Sequence, residues 1–176
     1  MTIYFDMDGV LADFKSGAEQ AGATYVPAGT TDKKADDDMW DKIRKIPHFY
    51  AGLPEISRAV QLFKDLQAAG EKPEILTAIP KPHYGIEYAA EDKKTWVETH
   101  LGPGIPVHIC YRAEKIHKCG GPNDILIDDQ DRNIQEWQAA GGTGILFREN
   151  MPLKLPKQLM LLLKEAGTDR QETNLS

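Results

Sequence analysis

Ile3-Tyr4-Phe5-Asp6-Met7-Asp8-Gly9-Val10-Leu11-Ala12-Asp13-Phe14 is the stretch whose reading decides the fold. Three apolar residues run into two aspartates one residue apart, then glycine, then more apolar residues. That is the pattern of a buried strand ending in a tight turn. In a parallel sheet, Asp6 and Asp8 emerge at the carboxyl edge, where open α/β sheets bind ligands. Two carboxylates so close repel each other unless positive charge lies between them. Mg²⁺ meets that need, since it takes one or two carboxylates together with phosphate oxygens. The plainer reading is a solvated turn, aspartate being a turn residue as well; the later segments decide between the two.

The chain has 176 residues, enough for one domain with a small insert. Acidic residues number 27 against 21 basic ones, a formal charge of −6, and no run of lysine and arginine interleaved with aromatics occurs. Broad binding to nucleic acid or to anionic membranes is therefore not expected. A small phosphate-bearing molecule is attracted instead by local charge, from a metal ion and one or two lysines. Cys110 and Cys119 match no metal-ligand spacing and read as reduced packing residues. With no charged-then-apolar leader before the first strand and no long apolar run, a cytoplasmic location is expected.

From Ala12 the pattern is helical to Ala21 and then irregular to Thr30; Asp32 to Ile46 is a polar, charged helix or pair of helices with Met39, Trp40, Ile43 and Ile46 at helical spacing. A proline-bounded loop, Pro47 to Pro54, carries Phe49 and Tyr50. Residues 16–54 thus read as a small helical cap inserted after the first strand. Glu55 to Ala69 is an amphipathic helix closed by Gly70. Lys72 to Thr77 is a second strand, Tyr84 to Leu101 a helix, and Pro106 to Cys110 a third strand. Asp124-Ile125-Leu126-Ile127-Asp128-Asp129 is a fourth strand, Asn133 to Ala140 a short helix, Thr143 to Phe147 a fifth strand and Leu155 to Glu165 a last helix. The polar residues 167–176 are expected to be mobile. Strands alternating with helices give an α/β fold, a Rossmann-like three-layer sandwich with a mainly parallel five-stranded sheet. Its core takes residues 1–15 and 55–166.

Three of these strands end in residues useful to phosphoryl transfer: Asp6 and Asp8, then Thr77, then Asp128 and Asp129, with Lys115 and Lys118 shortly before the last. The set is far more specific than any member. Its order resembles the haloacid dehalogenase-like hydrolases, and more narrowly the 5′(3′)-deoxyribonucleotidases among them. The narrower likeness is carried by Asp6 to Phe14, by Phe49-Tyr50-Ala51-Gly52-Leu53-Pro54, by Lys94-Thr95-Trp96-Val97 and by Asp124 to Asp129, over about residues 1 to 150.

The resemblance implies a Mg²⁺-dependent phosphomonoesterase acting on deoxyribonucleoside monophosphates. Asp6 would be the nucleophile that forms an aspartyl-phosphate. Asp8 would protonate the leaving oxygen and then activate water. Mg²⁺ would be held by Asp6, the Asp8 carbonyl and one of the two aspartates that end the fourth strand, Asp129 being preferred to Asp128. Thr77 would hydrogen-bond a phosphate oxygen, although Ala78 follows it where related enzymes often carry a second hydroxyl. The motif lysine would be Lys118, ten residues before Asp128, in preference to Lys115. Phe14 matches the position of an aromatic near the base, and Trp40 with Phe49 or Tyr50 would complete a stacking pocket; packing of the insert against the core is the alternative for each.

The remaining candidates read as structure. The five histidines show no ligand spacing, Trp96 and Trp137 belong to the core, and Asp36-Asp37-Asp38 is a solvated helix face. Two other functions stay open: a phosphatase of the same superfamily for another small ester such as a sugar phosphate, and a silent metal- or nucleotide-binding module. The sequence leaves monomer and homodimer equally open.

Overall fold

The structure is a computed structural model and describes residues 1–173, with side chains described through residue 165. Five strands, β1 (Ile3–Phe5), β2 (Glu74–Ala78), β3 (Val107–Cys110), β4 (Ile125–Asp128) and β5 (Thr143–Leu146), form one sheet in the order β3-β2-β1-β4-β5. Every pairing is parallel, and Phe5 lies level with Ile75 on one side and Ile127 on the other. All strands therefore release their chains at the same edge.

The two faces follow from the alternation of side chains along a strand. Ile3, Phe5, Ile75, Ile125 and Ile127 join one buried cluster with Phe63, Trp96 and Leu159, from helices α3 (Ser57–Ala68), α4 (Ala89–Leu101) and α6 (Lys157–Thr173). Tyr4, Leu76 and Leu126 point the other way, onto Trp137 of α5 (Asp131–Ala139). Helices on both faces make the three-layer α/β sandwich.

Between β1 and α3 the chain forms α1 (Phe14–Gln20), α2 (Lys33–Ile43) and a 3₁₀ turn over Phe49–Gly52. Asp13 caps α1, accepting from Ser16 N (2.9 Å), and Asp32 caps α2, accepting from Ala35 N (3.0 Å). The ends of this excursion are tied together: Asp13 N donates to Pro54 O (2.8 Å) and Ile56 N to Leu11 O (2.7 Å). Trp96 Nε1 donates to Leu53 O (2.8 Å), fastening the returning chain to α4.

Two boundaries differ from the sequence-based expectation by more than three residues. Helix α4 starts at Ala89, not Tyr84, because Pro82–Tyr84 forms a 3₁₀ turn that ends at Gly85 in the left-handed region (φ 70°). Helix α6 continues to Thr173, through most of the stretch expected as a tail from residue 167, and residues 174–176 lie outside the described residues. No helix among the described residues is long and apolar enough to cross a membrane.

Candidate active site

The carboxyl edge of the central strand carries Asp6, 4% exposed, whose Oδ1 accepts from Met7 N (2.8 Å) and whose Oδ2 lies 2.9 Å from Lys115 Nζ. The chain then turns sharply: Leu11 N and Ala12 N both donate to Met7 O (2.8 Å each), and Gly9 adopts φ 75°. A Cβ on Gly9 would lie 2.4 Å from Asp129 Oδ2. Only glycine combines that backbone with that proximity. Gly9→Ala is expected to cost roughly 1–3 kcal/mol from the left-handed backbone, and to lower divalent-cation affinity as well by pushing Asp129 aside; an unchanged cation titration by calorimetry would contradict the second effect.

The end of β4 supplies two aspartates with different duties. Both oxygens of Asp128 are taken: Oδ2 by Lys115 Nζ (2.7 Å) and Asn133 Nδ2 (2.9 Å), Oδ1 by Gln130 N (2.8 Å) and Asn133 Nδ2 (3.0 Å). Asn133 is steadied in turn by Arg112 (3.1 Å), which also pairs with Glu136 (2.7 Å). Asp129 keeps a buried Oδ1 with no hydrogen-bond partner among the described residues. Asp6, Asp128 and Asp129 each offer an oxygen, all within 4.8 Å of one another.

These carboxylates crowd one another. Burial, reinforced by Asp128, Asp129 and Asp8 and opposed by Lys115, pushes Asp6 up to about 8. Burial and Asp128 push Asp129 up to about 7. Asp6 and Asp128 hold Lys115 above the usual lysine range in spite of its burial. Three carboxylates against one ammonium leave two negative charges, the charge of one divalent cation. The orphaned oxygen of Asp129 and the hard-oxygen donor set fit Mg²⁺; Asp129 and Asp6 are the side chains that would hold it, Asp6 through oxygens that also accept from Met7 N and Lys115 Nζ.

Lys115, not Lys118, stands in this cluster. Arg112–Lys118 is a 3₁₀ helix leading from the carboxyl edge toward the start of β4, and Lys118 is exposed. Three residues of such a helix advance about 6 Å, enough to carry Lys118 out of reach. The preference for Lys118, taken from family spacing, is corrected.

A second buried lysine, which the sequence reading passed over, completes the site. Lys93 of α4 is fully buried; its Nζ lies 2.7 Å from Asp8 Oδ2, 2.9 Å from Thr77 Oγ1 and 4.5 Å from the centre of the Tyr50 ring. The signal was present, since Lys93 precedes Trp96 and Val97 by three and four residues and so shares their inward face. Asp8 retains a buried Oδ1 with no hydrogen-bond partner among the described residues. Thr77 is fully enclosed behind the cleft wall, where Ala78 is the residue that faces the opening.

In front of these groups opens a cleft of about 750 Å³, lined by Phe14, Trp40 and Tyr50 among the expected aromatics, and by Tyr25 and Tyr84, which were not expected. Trp40 and Tyr84 lie 4.7 Å apart at 31°. Asp36 joins them, accepting from Trp40 Nε1 (3.1 Å) and Tyr84 OH (2.6 Å), a bond that pushes the Tyr84 hydroxyl up to about 12. Asp36 is thus part of the cleft wall, whereas Asp37 and Asp38 are exposed. Phe49 does not line this cleft: it is 6% exposed and packs behind Phe14 (5.6 Å) and Tyr50 (5.3 Å). For Phe49 the packing alternative holds, because adjacent residues of the 3₁₀ turn point in different directions.

Comparison with known proteins agrees with this geometry. Residues 1–155 match the family described as "5' nucleotidase, deoxy (Pyrimidine), cytosolic type C protein". The human protein named "5'(3')-deoxyribonucleotidase, cytosolic type" is 27% identical over 96% of this chain and 91% of its own. Among solved structures, a haloacid dehalogenase-like hydrolase from Streptococcus pneumoniae superposes with TM-score 0.53 at 12% identity, covering 93% of this chain and 90% of that one. A HAD-family hydrolase from Deinococcus radiodurans with bound phosphate and sodium gives 0.51 at 16% identity over 92% and 87%. These two likenesses concern the fold. The chain therefore belongs to the cytosolic type C family of 5′-deoxynucleotidases, and is a phosphatase of the 5′-nucleotidase kind.

Proposed function

We propose that the chain hydrolyses deoxyribonucleoside monophosphates in a Mg²⁺-dependent reaction through an aspartyl-phosphate on Asp6. The observation that carries this reading is the juxtaposition of Asp6, Lys115 and Asp129 with Asp8 at the foot of an aromatic-walled cleft of about 750 Å³. That volume lies in the range of small-molecule sites and holds a nucleotide with room to spare.

In the proposed reaction a carboxylate oxygen of Asp6 attacks phosphorus in line, and the bond from phosphorus to the ribose oxygen breaks. Asp8 gives that oxygen its proton, then takes one from the water that opens the acyl phosphate. Lys115 spends two of its three N–H donors on Asp6 and Asp128, leaving the third for a phosphate oxygen. Asp128 holds Lys115, and Asn133 holds Asp128. Thr77 acts together with Lys93, which occupies its hydroxyl oxygen. Bound Mg²⁺ supplies positive charge against the phosphoryl oxygens; Asp6 and Asp129 are the side chains to hold it. Phe14, Trp40 and Tyr84 form the wall on which a base stacks, and α1 and α2 act as the cap. A cytoplasmic location is proposed from the naming of the human relative as cytosolic.

Phosphate release from deoxyribonucleoside, ribonucleoside and sugar monophosphates, with and without Mg²⁺, tests the proposal. Stacking is worth roughly 1–3 kcal/mol per base, so kcat/KM for deoxynucleotides is expected to exceed that for sugar phosphates about tenfold or more. Equal values would leave a phosphatase but remove the nucleotide.

A further inference from the structure

The wall of the cleft holds a carboxylate without a counter-charge. Asp36 lines the cleft, and its two oxygens accept from neutral donors, Oδ1 from Trp40 Nε1 (3.1 Å) and Oδ2 from Tyr84 OH (2.6 Å). Among the described residues no lysine, arginine or histidine forms an ion pair with it. Its place in the first turn of α2 lets the helix dipole keep it ionised. Joining Trp40 to Tyr84 does not require that charge, because one amide oxygen has two lone pairs and could accept both bonds. A fixed negative charge also repels an anionic phosphate ester in the same cleft.

We propose that Asp36 is a specificity-determining residue that accepts a hydrogen bond from the exocyclic amino group of the base, so that the cleft selects cytosine and adenine nucleotides over those of uracil, thymine and hypoxanthine. The proposal rests on the nucleotidase reading given above and names the bases that site takes. Trp40 and Tyr84 lie 4.7 Å apart at 31°, and Asp36 spans the edges of both rings. A base stacked on this wall forms a third layer, whose edge meets the same carboxylate. Each oxygen of Asp36 has given one lone pair to the wall and keeps another. An amino group donates to it, as cytosine does to aspartate elsewhere. A ring carbonyl in that place sets acceptor against acceptor and leaves the charge unanswered.

The test measures kcat/KM for two matched pairs, dCMP with dUMP and dAMP with dIMP, each pair exchanging an amino group for a carbonyl. In the parent, dCMP is expected to exceed dUMP about tenfold or more, and dAMP to exceed dIMP in the same direction. Asp36→Asn presents either an acceptor or a donor, and should bring each ratio within about threefold of one. A merely structural role would not move these ratios, since both members of a pair stack on the same wall. Tyr84→Phe removes the hydroxyl but keeps the ring and Asp36, and should retain the parent's ratios whatever happens to the rates. Should Asp36→Asn fail to fold by thermal melting, Asp36→Gln carries the same comparison. A parent that treats dCMP and dUMP alike or favours dUMP overturns the proposal, as does a neutral variant that keeps the parent's ratios; both leave the nucleotidase reading intact. A parent that cleaves p-nitrophenyl phosphate but no nucleotide overturns that reading, and this selection with it.

Discussion

Asp6→Asn is expected to lower turnover by about 10⁴-fold or more, the scale on which a covalent nucleophile is lost, while the chain stays folded. The amide cannot form the carboxyl-phosphate, yet it matches the carboxylate in shape. One hydrogen-bond mismatch follows, because Asp6 accepts from both Met7 N and Lys115 Nζ and an asparagine has a single acceptor oxygen; that costs about 1 kcal/mol. Against it stands relief of repulsion from Asp128, Asp129 and Asp8, which with burial raises Asp6 to about 8 in the parent. In the presence of a chelator at pH 8, the variant should therefore melt no lower than the parent. Turnover within tenfold of the parent would assign the nucleophile elsewhere.

Chelation of the divalent cation is expected to abolish activity, and its effect on stability should depend on pH with a definite sign. Asp6 and Asp129 have folded values above their unfolded ones, so their neutral forms are favoured by folding. Their contribution is fully present below about pH 4, the unfolded carboxyl value, and is lost as pH rises through the folded values of about 7 and 8. Without a cation, stability should thus fall from pH 4 to pH 8 by an amount on the order of a few kcal/mol. A divalent ion competes with those protons and binds best where they are gone. At 100 times its dissociation constant a ligand adds about 2.7 kcal/mol, which for a domain of this size raises the melting temperature by about 5–10 °C. That shift is expected on adding Mg²⁺ at pH 8, with much less at pH 5. Equal shifts at both values would mean that the ion binds away from the buried carboxylates.

The fold and half of the site were legible because they depend on local pattern. Runs such as Ile125-Leu126-Ile127 mark buried strands, and any acidic residue ending such a strand in a parallel sheet must reach the same edge, which located Asp6, Asp8 and Asp129. What escaped depends on partners distant in sequence. Lys115 and Lys118 are equivalent on paper, and only the direction of the 3₁₀ helix separates them. Lys93 was hidden because Asp8, Thr77 and Tyr50 come from three other segments, and a lysine on a helix is ordinarily a solvated one. Asp36 was hidden in a run of three aspartates, of which it alone turns inward to Trp40 and Tyr84. Tyr84 was assigned to a helix that Gly85 in fact delays.

The middle position of β1 in the sheet has a consequence for how activity is born. The strand that bears Asp6 precedes both its neighbours, β2 and β4, and β4 follows it only after four helices and two other strands. During synthesis the opening segment must wait, unpaired along one flank, until residues near Ile125 leave the ribosome and zip against it. Catalytic competence should hence switch on late and all at once, rather than accrue as the polypeptide lengthens.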